Sequence, residues 1–430
     1  MKSMKKWIAA LLIGVVAVGS FAGCAKTSDG PVEIQWMFWD DLTVTTDNTS
    51  LGYAATIERF NKEYEGQYHV STITTNLEEY DTKLNALIAA NTVPDVYICN
   101  PGPNLTQYVE GGHAADLTDI LKEDAAWYDS FAEGIFERLT YDGKIYAVPA
   151  NFTAALVFYN TEIFAEVGVT PPTTFDEWLD VCAKIADAGY APIACSAGTP
   201  WCLSMVAGYL CDRAGGPDNL AGIPDNTTSW MDPSFINAGE KLVELSQYFQ
   251  ETAAGDSNDQ ATAMFYNGEA AMLVQGSWVI GQINGAIEGF EDKCGVFSFP
   301  AIEGGADPNR MIVKTDNMVM SASTKNQDAC IALLKMFTDE TSQIYTAEVG
   351  GKIPVVDVAF DEAKAPAQLA YVMDILSKST GTFGFYNESL DSVEAGDTFD
   401  NAMVDLFLGA ITPEEAFQRV EDFYTENVWE

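Results

Sequence analysis

Histidine and basic side chains are scarce in this sequence. Of 430 residues, two are histidine, His69 and His113, and 22 lysines and arginines accompany 63 aspartates and glutamates, which gives a formal net charge of −41. The two histidines lie far apart and have no cysteine or histidine neighbour at metal-ligand spacing, so we expect no metal site. The excess of acid argues against nucleic acids and anionic membrane surfaces as partners.

The sequence also lacks the short motifs that usually mark catalytic sites. G-x-S-x-G, H-E-x-x-H, the phosphate-binding glycine loops and the calcium-loop pattern are all absent. The neighbouring carboxylates Asp40 and Asp41 could serve as the acid and base of a glycosidase. With 63 acidic residues, however, such pairs arise often by chance. We therefore expect no catalytic residue and no cofactor.

Cysteine is present, but not in a recognisable framework. Eight cysteines occur, and seven remain once Cys24 is set apart. An odd number without C-x-x-C spacing is a poor basis for disulfides or for zinc. Most are therefore expected to be small buried apolar residues. A bridge remains open within one group of four, Cys182, Cys195, Cys202 and Cys211.

A long apolar run occurs only at the amino terminus. The positively charged MKSMKK is followed by WIAALLIGVVAVGSFAG, which stops at Cys24. This pattern predicts a secretory signal peptide over residues 1–23. The run approaches the length of about 20 residues that a membrane span needs, so an uncleaved anchor is the alternative.

The end of this run resembles the lipobox of bacterial lipoproteins. It reads Phe21-Ala22-Gly23-Cys24 and departs from the usual pattern at Phe21, where an aliphatic residue is common. The resemblance implies that Cys24 is acylated and becomes the first residue, with residues 24–31 as a short tether. Two or three acyl chains together anchor a protein stably.

The remaining chain alternates between strand and helix patterns. Hydrophobic residues make up 47% and aromatic residues 12%, which is typical of a folded chain rather than a disordered one. VEIQWMFWDD has the period of a strand, a helical stripe precedes the buried strand DVYIC, and the pattern restarts after YDGKIYAVP. We expect helices capped by Thr49 or Ser50, by Thr174 and by Thr412. The alternation predicts an α/β fold with a parallel sheet, in two lobes without a long linker.

Aromatic residues stand beside small polar ones at the ends of several predicted strands. In open α/β sheets, ligands bind outside the carboxyl ends of the strands, so these positions can converge on one cleft. Sugars offer polar edges to carboxylates and amides, and C–H faces to aromatic rings. Trp36 and Trp178 lie on apolar stripes and are expected in the core. The candidate ligand-binding residues are Trp39, Asp40, Asp41, Asn100, Asn151, Thr153, Trp201 and Trp278.

Four stretches of the sequence match a known family. They are YDTKLNALIAANTVPDV, YDGKIYAVPANFTAALVFYNTEIFAEVGVTPPTTFDEWLDVCAKI, MFYNGEAAMLVQGSW and ITPEEAFQRV. With them, the chain resembles the extracellular solute-binding proteins of carbohydrate importers powered by an ATP-binding cassette, the group that includes maltose-binding protein. The resemblance covers nearly the whole mature chain. It implies two α/β lobes with a ligand cleft and a hinge, the type II architecture of periplasmic binding proteins.

The resemblance also implies lobe boundaries and one further site residue. Lobe 1 is expected at residues 32–149 plus 301–345, and lobe 2 at residues 150–300 plus 346–430. Asp316, in the return segment KTDNMVM, is added to the candidate ligand contacts.

Three functions remain open at this point. The first is a lipid-anchored receptor, expected to be a monomer on the outer face of the cytoplasmic membrane. It would bind a carbohydrate ligand, contact the bilayer through the acylated Cys24, and deliver to the permease subunits of an ABC importer. The second is a secreted glycan-cleaving enzyme, and the third is a receptor for a non-sugar solute such as a polyamine or peptide.

Overall fold

The computed structural model describes residues 30–39, 42–43 and 47–429. The predicted signal peptide at 1–23 and the predicted lipidation site Cys24 lie outside these residues. Within the described ranges, no helix combines the length and the apolar character that a membrane crossing requires.

Across the described residues, eleven strands form one large sheet and one small two-stranded sheet. The strands are β1 (Val32–Phe38), β2 (Tyr68–Thr74), β3 (Val96–Cys99), β4 (Thr140–Tyr141), β5 (Lys144–Ile145), β6 (Val148–Asn160), β7 (Ala191–Ala194), β8 (Ala270–Gly276), β9 (Cys294–Phe297), β10 (Arg310–Met320) and β11 (Gly381–Phe383).

Helices cover the faces of the large sheet. Those in the described part of the chain are α1 (Asn48–Glu63), α2 (Leu77–Ala89), α3 (Pro103–Glu110), α4 (Thr118–Glu123), α5 (Ala125–Tyr128), α6 (Thr161–Val167), α7 (Phe175–Asp187), α8 (Trp201–Gly215), α9 (Pro217–Ala221), α10 (Pro233–Ser246), α11 (Asn258–Tyr266), α12 (Val279–Ala286), α13 (Gln327–Phe337), α14 (Glu340–Glu348), α15 (Ala367–Ser377), α16 (Val393–Phe407) and α17 (Pro413–Asn427).

The large sheet mixes parallel and antiparallel pairs. Its strand order is β2-β1-β3-β10-β6-β8-β7, with β11 beside β10 and β9 beside β6. The pairs β1–β2, β1–β3 and β7–β8 are parallel, as predicted. The long strands β6 and β10 run antiparallel to each other and to β8 and β3 respectively, so the prediction of a parallel sheet is wrong for them. The reason is that these two strands carry the chain between the lobes in opposite directions.

Buried side chains form separate cores on the two sides of the crossing strands. Trp36 belongs to the core of the first lobe and Trp178 to that of the second, and both are fully buried, as predicted. A smaller apolar group around Phe158 extends the second lobe. The lobe boundaries implied by the resemblance remain a prediction. Val355 and Val356 pack into the first core, although those boundaries assign them to the second lobe.

The cysteines belong to these cores. Each of the seven within the described residues is buried and free of a disulfide. Burial penalises the thiolate, and it raises the pKa of Cys195, for example, to about 12. These cysteines act as small apolar side chains.

Side-chain caps fix where several helices begin. α7 and α17 start with the two predicted capping boxes, in which the cap and the third helical residue satisfy each other's backbone N–H groups. For α1 the expectation of Thr49 or Ser50 as the cap is wrong. Asp47 is the cap, because its carboxylate accepts a hydrogen bond of 2.9 Å from the Thr49 N–H.

Three segments of the chain cross between the lobes. β6 and β10 pair with Asn151 opposite Asp316, and their register shifts directly after Asp316. The third segment follows α14 and joins β6 at Ile353, which exchanges two backbone hydrogen bonds with Phe152. The connection between the lobes is therefore a narrow set of extended backbones, which suits a hinge.

Asp316 ties the three crossing segments together. Its Oδ2 accepts a hydrogen bond of 2.9 Å from Asn151 Nδ2 and lies 3.3 Å from Lys352 Nζ. All three residues are at most 6% exposed. Burial acts to raise the pKa of the Asp316 carboxyl, but Lys352, Lys314 and the Asn151 amide together lower it below its usual value. The carboxylate is therefore ionised at neutral pH.

Replacing Asp316 by Asn should lower the free energy of unfolding at pH 7 by about 3 to 5 kcal/mol, because Lys352 is left buried without its counter-charge. The double variant D316N/K352M should recover much of this loss, since neither charge remains. Because the folded pKa of Asp316 lies below the unfolded one, its stabilisation is present at neutral pH and is lost as the pH falls below about 4.

Urea unfolding of the wild type, D316N, K352M and the double variant at pH 7 and pH 3 measures this coupling. D316N should lose less stability on acidification than the wild type. If the double variant loses as much stability at pH 7 as the sum of the losses in D316N and K352M, the two side chains are not coupled.

A second buried acid lies on α16. Asp400 is 8% exposed and accepts a hydrogen bond of 3.0 Å from Asn387 Nδ2. Burial raises the pKa of its carboxyl to about 7. An unfolded chain releases this proton near pH 4. The folded state is therefore penalised increasingly as the pH rises from about 4 through about 7.

Asp400→Asn should relieve this penalty. The gain in unfolding free energy over the wild type should be larger at pH 8 than at pH 5, by about 2 kcal/mol, since the uncharged amide does not titrate. Chemical denaturation at the two pH values tests this. An equal gain at both would mean that Asp400 does not titrate in this range.

Candidate ligand-binding cleft

Three aromatic side chains of the second lobe form one wall of the cleft between the lobes. Trp201 begins α8, Trp278 follows β8, and Phe385 follows β11. The rings of Trp278 and Phe385 lie 6.1 Å apart with an interplanar angle of 28°, and Trp201 meets them edge-on at 5.9 and 6.3 Å. Both tryptophans are half-buried, so part of each ring faces the cleft. These are faces on which the C–H side of a ligand can stack.

The G-x-W sequence at the end of β8 has a steric reason. A Cβ on Gly276 would lie 2.0 Å from the ring of Trp278. The indole therefore folds back over the backbone of Gly276, an approach that only glycine permits. This contact fixes the direction of the Trp278 ring.

Trp39 supplies the ring of the opposite wall. It follows β1 in the first lobe, is 9% exposed, and meets Tyr80 edge-to-face at 5.4 Å. The Nζ atom of Lys314 lies 5.4 Å from the ring centroid of Trp39 and 5.6 Å from that of Trp278. Rings from both lobes thus face one ammonium group. Asp40 and Asp41, which follow Trp39, lie outside the described residues.

Lys314 occupies the centre of the cleft, and sequence reasoning missed it. Its Nζ is also 6.0 Å from the ring of Phe385, 3.7 Å from Glu388 Oε1 and 3.9 Å from Asp316 Oδ1. Alternate residues of a strand point to the same face. Lys314 and Asp316 are such a pair on β10, so the choice of Asp316 could have led to it. Phe385 and Glu388 lie in an irregular segment with no periodic pattern to reveal them.

Several buried oxygen atoms of the two lobes and the hinge have no partner. Among the described residues, Asn100 Oδ1, Asn151 Oδ1 and Glu388 Oε2 are buried hydrogen-bond acceptors with no donor. Asn100 follows β3 in the first lobe, Asn151 lies in the hinge, and Glu388 belongs to the second lobe. Buried acceptors are normally satisfied, so this arrangement suits a ligand that brings its own donors.

Thr153 and Asp316 are engaged within the hinge itself. Thr153 is 1% exposed, and its hydroxyl donates to the carbonyl of Lys314 at 3.2 Å. Asp316 holds Asn151 and Lys352, as described above. The structure places both residues next to Lys314, but their hydrogen bonds serve the crossing strands.

A helix of the first lobe also acts on this site. Asp81 on α2 has a raised pKa, first through desolvation and then through the negative charges of Glu388 and Asp397, while Lys314 opposes the shift. Since the electrostatic partners belong to the hinge and the second lobe, α2 faces the cleft. Sequence reasoning did not identify Asp81 either.

Hydrogen bonds from Arg138 to Glu388 and Ser389 join the two lobes beside the cleft. Arg138 Nη2 donates to the Glu388 carbonyl at 2.8 Å and lies 3.3 Å from Ser389 Oγ. Gly102, with φ = +73°, lies so close that a Cβ there would be 2.1 Å from the same carbonyl. A cavity of about 310 Å³ opens next to these contacts, between the loop after β3 and the segment that carries Glu388.

The described part of the site shows no arrangement that suits a metal ion. Within the described ranges, no three or more histidine, cysteine, aspartate or glutamate side chains are grouped to hold one. What the cleft does present is stacking surface, an ammonium group and unpaired acceptors. Such a set binds a polar molecule that also has apolar faces.

The sequence of this chain is similar to that of known proteins. The family model described as bacterial extracellular solute-binding protein matches residues 45–344. An uncharacterised ABC transporter extracellular-binding protein of Pyrococcus horikoshii is 24% identical, covering 87% of this chain and 84% of its own. A probable sugar-binding periplasmic protein of Mesorhizobium japonicum is 25% identical, covering 82% and 83%.

Solved structures agree with this likeness. One, from work on xylan utilisation by the thermophilic bacterium Caldanaerobius polysaccharolyticus, is 25% identical and superimposes with a TM-score of 0.84. The likeness covers 91% of this chain and 99% of the other. The two lobes, the mixed sheet and the cleft are therefore those of a known architecture, and the chain belongs to the family of bacterial extracellular solute-binding proteins.

Proposed function

We propose that this protein captures a sugar or oligosaccharide outside the cell and delivers it to the permease of an ABC importer, without chemical conversion of the ligand. The observation that carries the proposal is the pair of aromatic walls, Trp39 from one lobe and Trp278 with Trp201 from the other, around unpaired polar groups. Closure of the lobes would bring both walls onto one ligand.

The chemistry of sugars fits these walls. A pyranose ring presents C–H groups on its faces and hydroxyl groups around its edge. The faces suit the rings of Trp39 and Trp278, and the edge suits the acceptors of Asn100, Asn151 and Glu388. The relative from Mesorhizobium japonicum, described as a probable sugar-binding protein, supports the same ligand class.

One observation favours an alternative ligand. The rings of Trp39, Trp278 and Phe385 already surround an ammonium group, that of Lys314. Aromatic cages of this kind also recognise cationic ligands. A polyamine receptor is therefore the second candidate, and a screen must include amines.

Trp278→Ala should weaken sugar binding about 30-fold or more, because a central tryptophan of a binding site typically contributes this much. The measurement is isothermal titration of a sugar and amine panel, with intrinsic tryptophan fluorescence as a second readout. Trp429→Phe is the matched control, since Trp429 packs at the end of the second lobe and donates to the Ile223 carbonyl. It should bind with wild-type affinity.

The same panel separates the competing functions. Sugar binding with equal affinity in the wild type and Trp278→Ala would overturn the site. Binding of amines alone would replace the sugar by a cationic solute. Release of shorter products from an oligosaccharide would establish an enzyme.

The proposal includes a lipid anchor at Cys24. The lipobox-like sequence Phe21-Ala22-Gly23-Cys24 supports it, as does the extracellular family to which the chain belongs. A tether at residues 24–31 would keep the receptor close to its permease and raise the effective concentration of the pair.

Cys24→Ser should abolish acylation, so that the protein no longer incorporates labelled palmitate in a bacterial host. Cys99→Ser, which changes a buried thiol, should label as the wild type does. Release of the variant from the membrane fraction is expected if the lipid is the anchor. Continued membrane attachment without label would instead indicate an uncleaved amino-terminal span.

A further inference from the structure

Lys314 and Glu388 face the same space without bonding each other. The distance from Lys314 Nζ to Glu388 Oε1 is 3.7 Å, which exceeds the usual length of an N–H···O hydrogen bond. The other carboxylate oxygen, Oε2, is buried and has no partner among the described residues. Both groups are largely enclosed, with side chains 14% and 10% exposed. A donor and an acceptor thus stand side by side with unused bonding capacity.

We propose that Lys314 and Glu388 act as a specificity pair that binds neighbouring hydroxyl groups of a neutral sugar. The inference rests on the proposed function and goes further by naming the ligand class and two specificity-determining residues. The Lys314 ammonium donates to one hydroxyl oxygen, and the Glu388 carboxylate accepts from the next hydroxyl. A hydroxyl both donates and accepts, so two neighbouring ones satisfy the pair at once.

The position of the pair relative to the rings supports this assignment. Lys314 Nζ lies 5.6 Å from the Trp278 ring centroid and 6.0 Å from that of Phe385. A sugar stacked on this wall would displace the Lys314 ammonium from the ring faces and present its edge hydroxyls to that ammonium and to Glu388. The cavity beside Glu388 leaves space for the part of a longer ligand that is not stacked.

The local balance of charge favours a neutral ligand over an anionic one. Lys314 is balanced by Glu388 and Asp316, at 3.7 and 3.9 Å, and Lys352 is paired with Asp316 at 3.3 Å. Arg138, a further cation near the cleft, is directed at backbone and hydroxyl oxygens. A phosphate or carboxylate ligand would bury its negative charge in the cleft. Because Lys314 and Lys352 already have anionic partners, neither would balance this charge, and such burial is costly.

A cationic ligand would compete with Lys314 for the aromatic cage. The Lys314 ammonium occupies the aromatic cage, so a second cation would meet like-charge repulsion there. The Asn151 side chain, which donates to Asp316, has an unpaired acceptor close to Lys314 that calls for a donor. Uncharged hydroxyl groups meet this need without repulsion.

The test is calorimetric titration of wild type, Lys314→Met and Glu388→Gln with neutral hexoses, pentoses and their oligomers, uronic acids, sugar phosphates and amino sugars. The wild type should bind a neutral sugar best. Each variant should bind that sugar at least tenfold more weakly, since each loses a hydrogen bond to a charged group. The matched controls Lys325→Met and Glu362→Gln change exposed side chains and should bind normally.

Monodeoxy analogues of the bound sugar test the pairing by comparing two ligands on the same variant. A general loss of affinity in that variant cancels in the comparison. The analogue that lacks the hydroxyl bound by Glu388 should bind the wild type at least tenfold more weakly than the parent sugar does. To Glu388→Gln, that analogue and the parent sugar should bind equally well. The analogue that lacks the hydroxyl bound by Lys314 should likewise bind the wild type more weakly than the parent sugar does, and should bind Lys314→Met as well as the parent sugar does. This non-additivity is what a direct contact produces.

The outcomes separate this inference from the proposed function. If Lys314→Met and Glu388→Gln bind a neutral sugar normally while Trp278→Ala does not, the specificity pair is wrong and the sugar receptor stands. If the wild type prefers uronic acids, phosphates or amino sugars, the neutral ligand class is wrong. If no sugar binds the wild type, the proposed function itself fails.

Discussion

The antiparallel pairing of β6 and β10 is the interaction on which the rest of the molecule depends. Both strands pass from one lobe to the other, and Asn151 lies opposite Asp316 where they cross. The buried ion pair of Asp316 with Lys352 adds the third crossing segment. Lys314 is two residues from Asp316 on the same strand face, so the ligand-facing ammonium and the hinge share one short stretch of backbone. A ligand that engages Lys314 is therefore positioned against the element about which the lobes move.

The aromatic cage around Lys314 links the two walls of the cleft. Lys314 covers ring faces of Trp39 and Trp278 through cation–π contacts, which also link the two lobes. Those ring faces are apolar surface that a ligand would otherwise cover. A ligand must therefore replace the ring contacts by stacking and also satisfy the displaced ammonium. Molecules with both C–H faces and hydroxyl edges meet the two requirements together, and purely apolar or purely ionic molecules meet only one.

Local sequence patterns predicted the elements of the fold better than their assembly. Capping boxes, strand periods and the buried Trp36 and Trp178 depend on neighbouring residues alone, and they were recognised. The antiparallel course of β6 and β10 depends on how distant segments meet, and sequence periods carry no such information. The same limit applies to the site. Trp201 and Trp278 stand beside turn residues, which made them candidates, whereas Glu388 reaches the cleft only through the fold of an irregular segment.

The acidity of the chain and the charge of the cleft act over different distances. The net charge of −41 belongs to the whole sequence, and salt at physiological strength screens exposed charges beyond about 8 Å. Inside the cleft, Lys314, Lys352, Asp316 and Glu388 lie within 4 Å of their partners and are enclosed, so screening by salt is weak. The composition therefore argues against nucleic acids and anionic surfaces but does not define the ligand. The near cancellation of charge among these four side chains supports the proposal of an uncharged polar ligand.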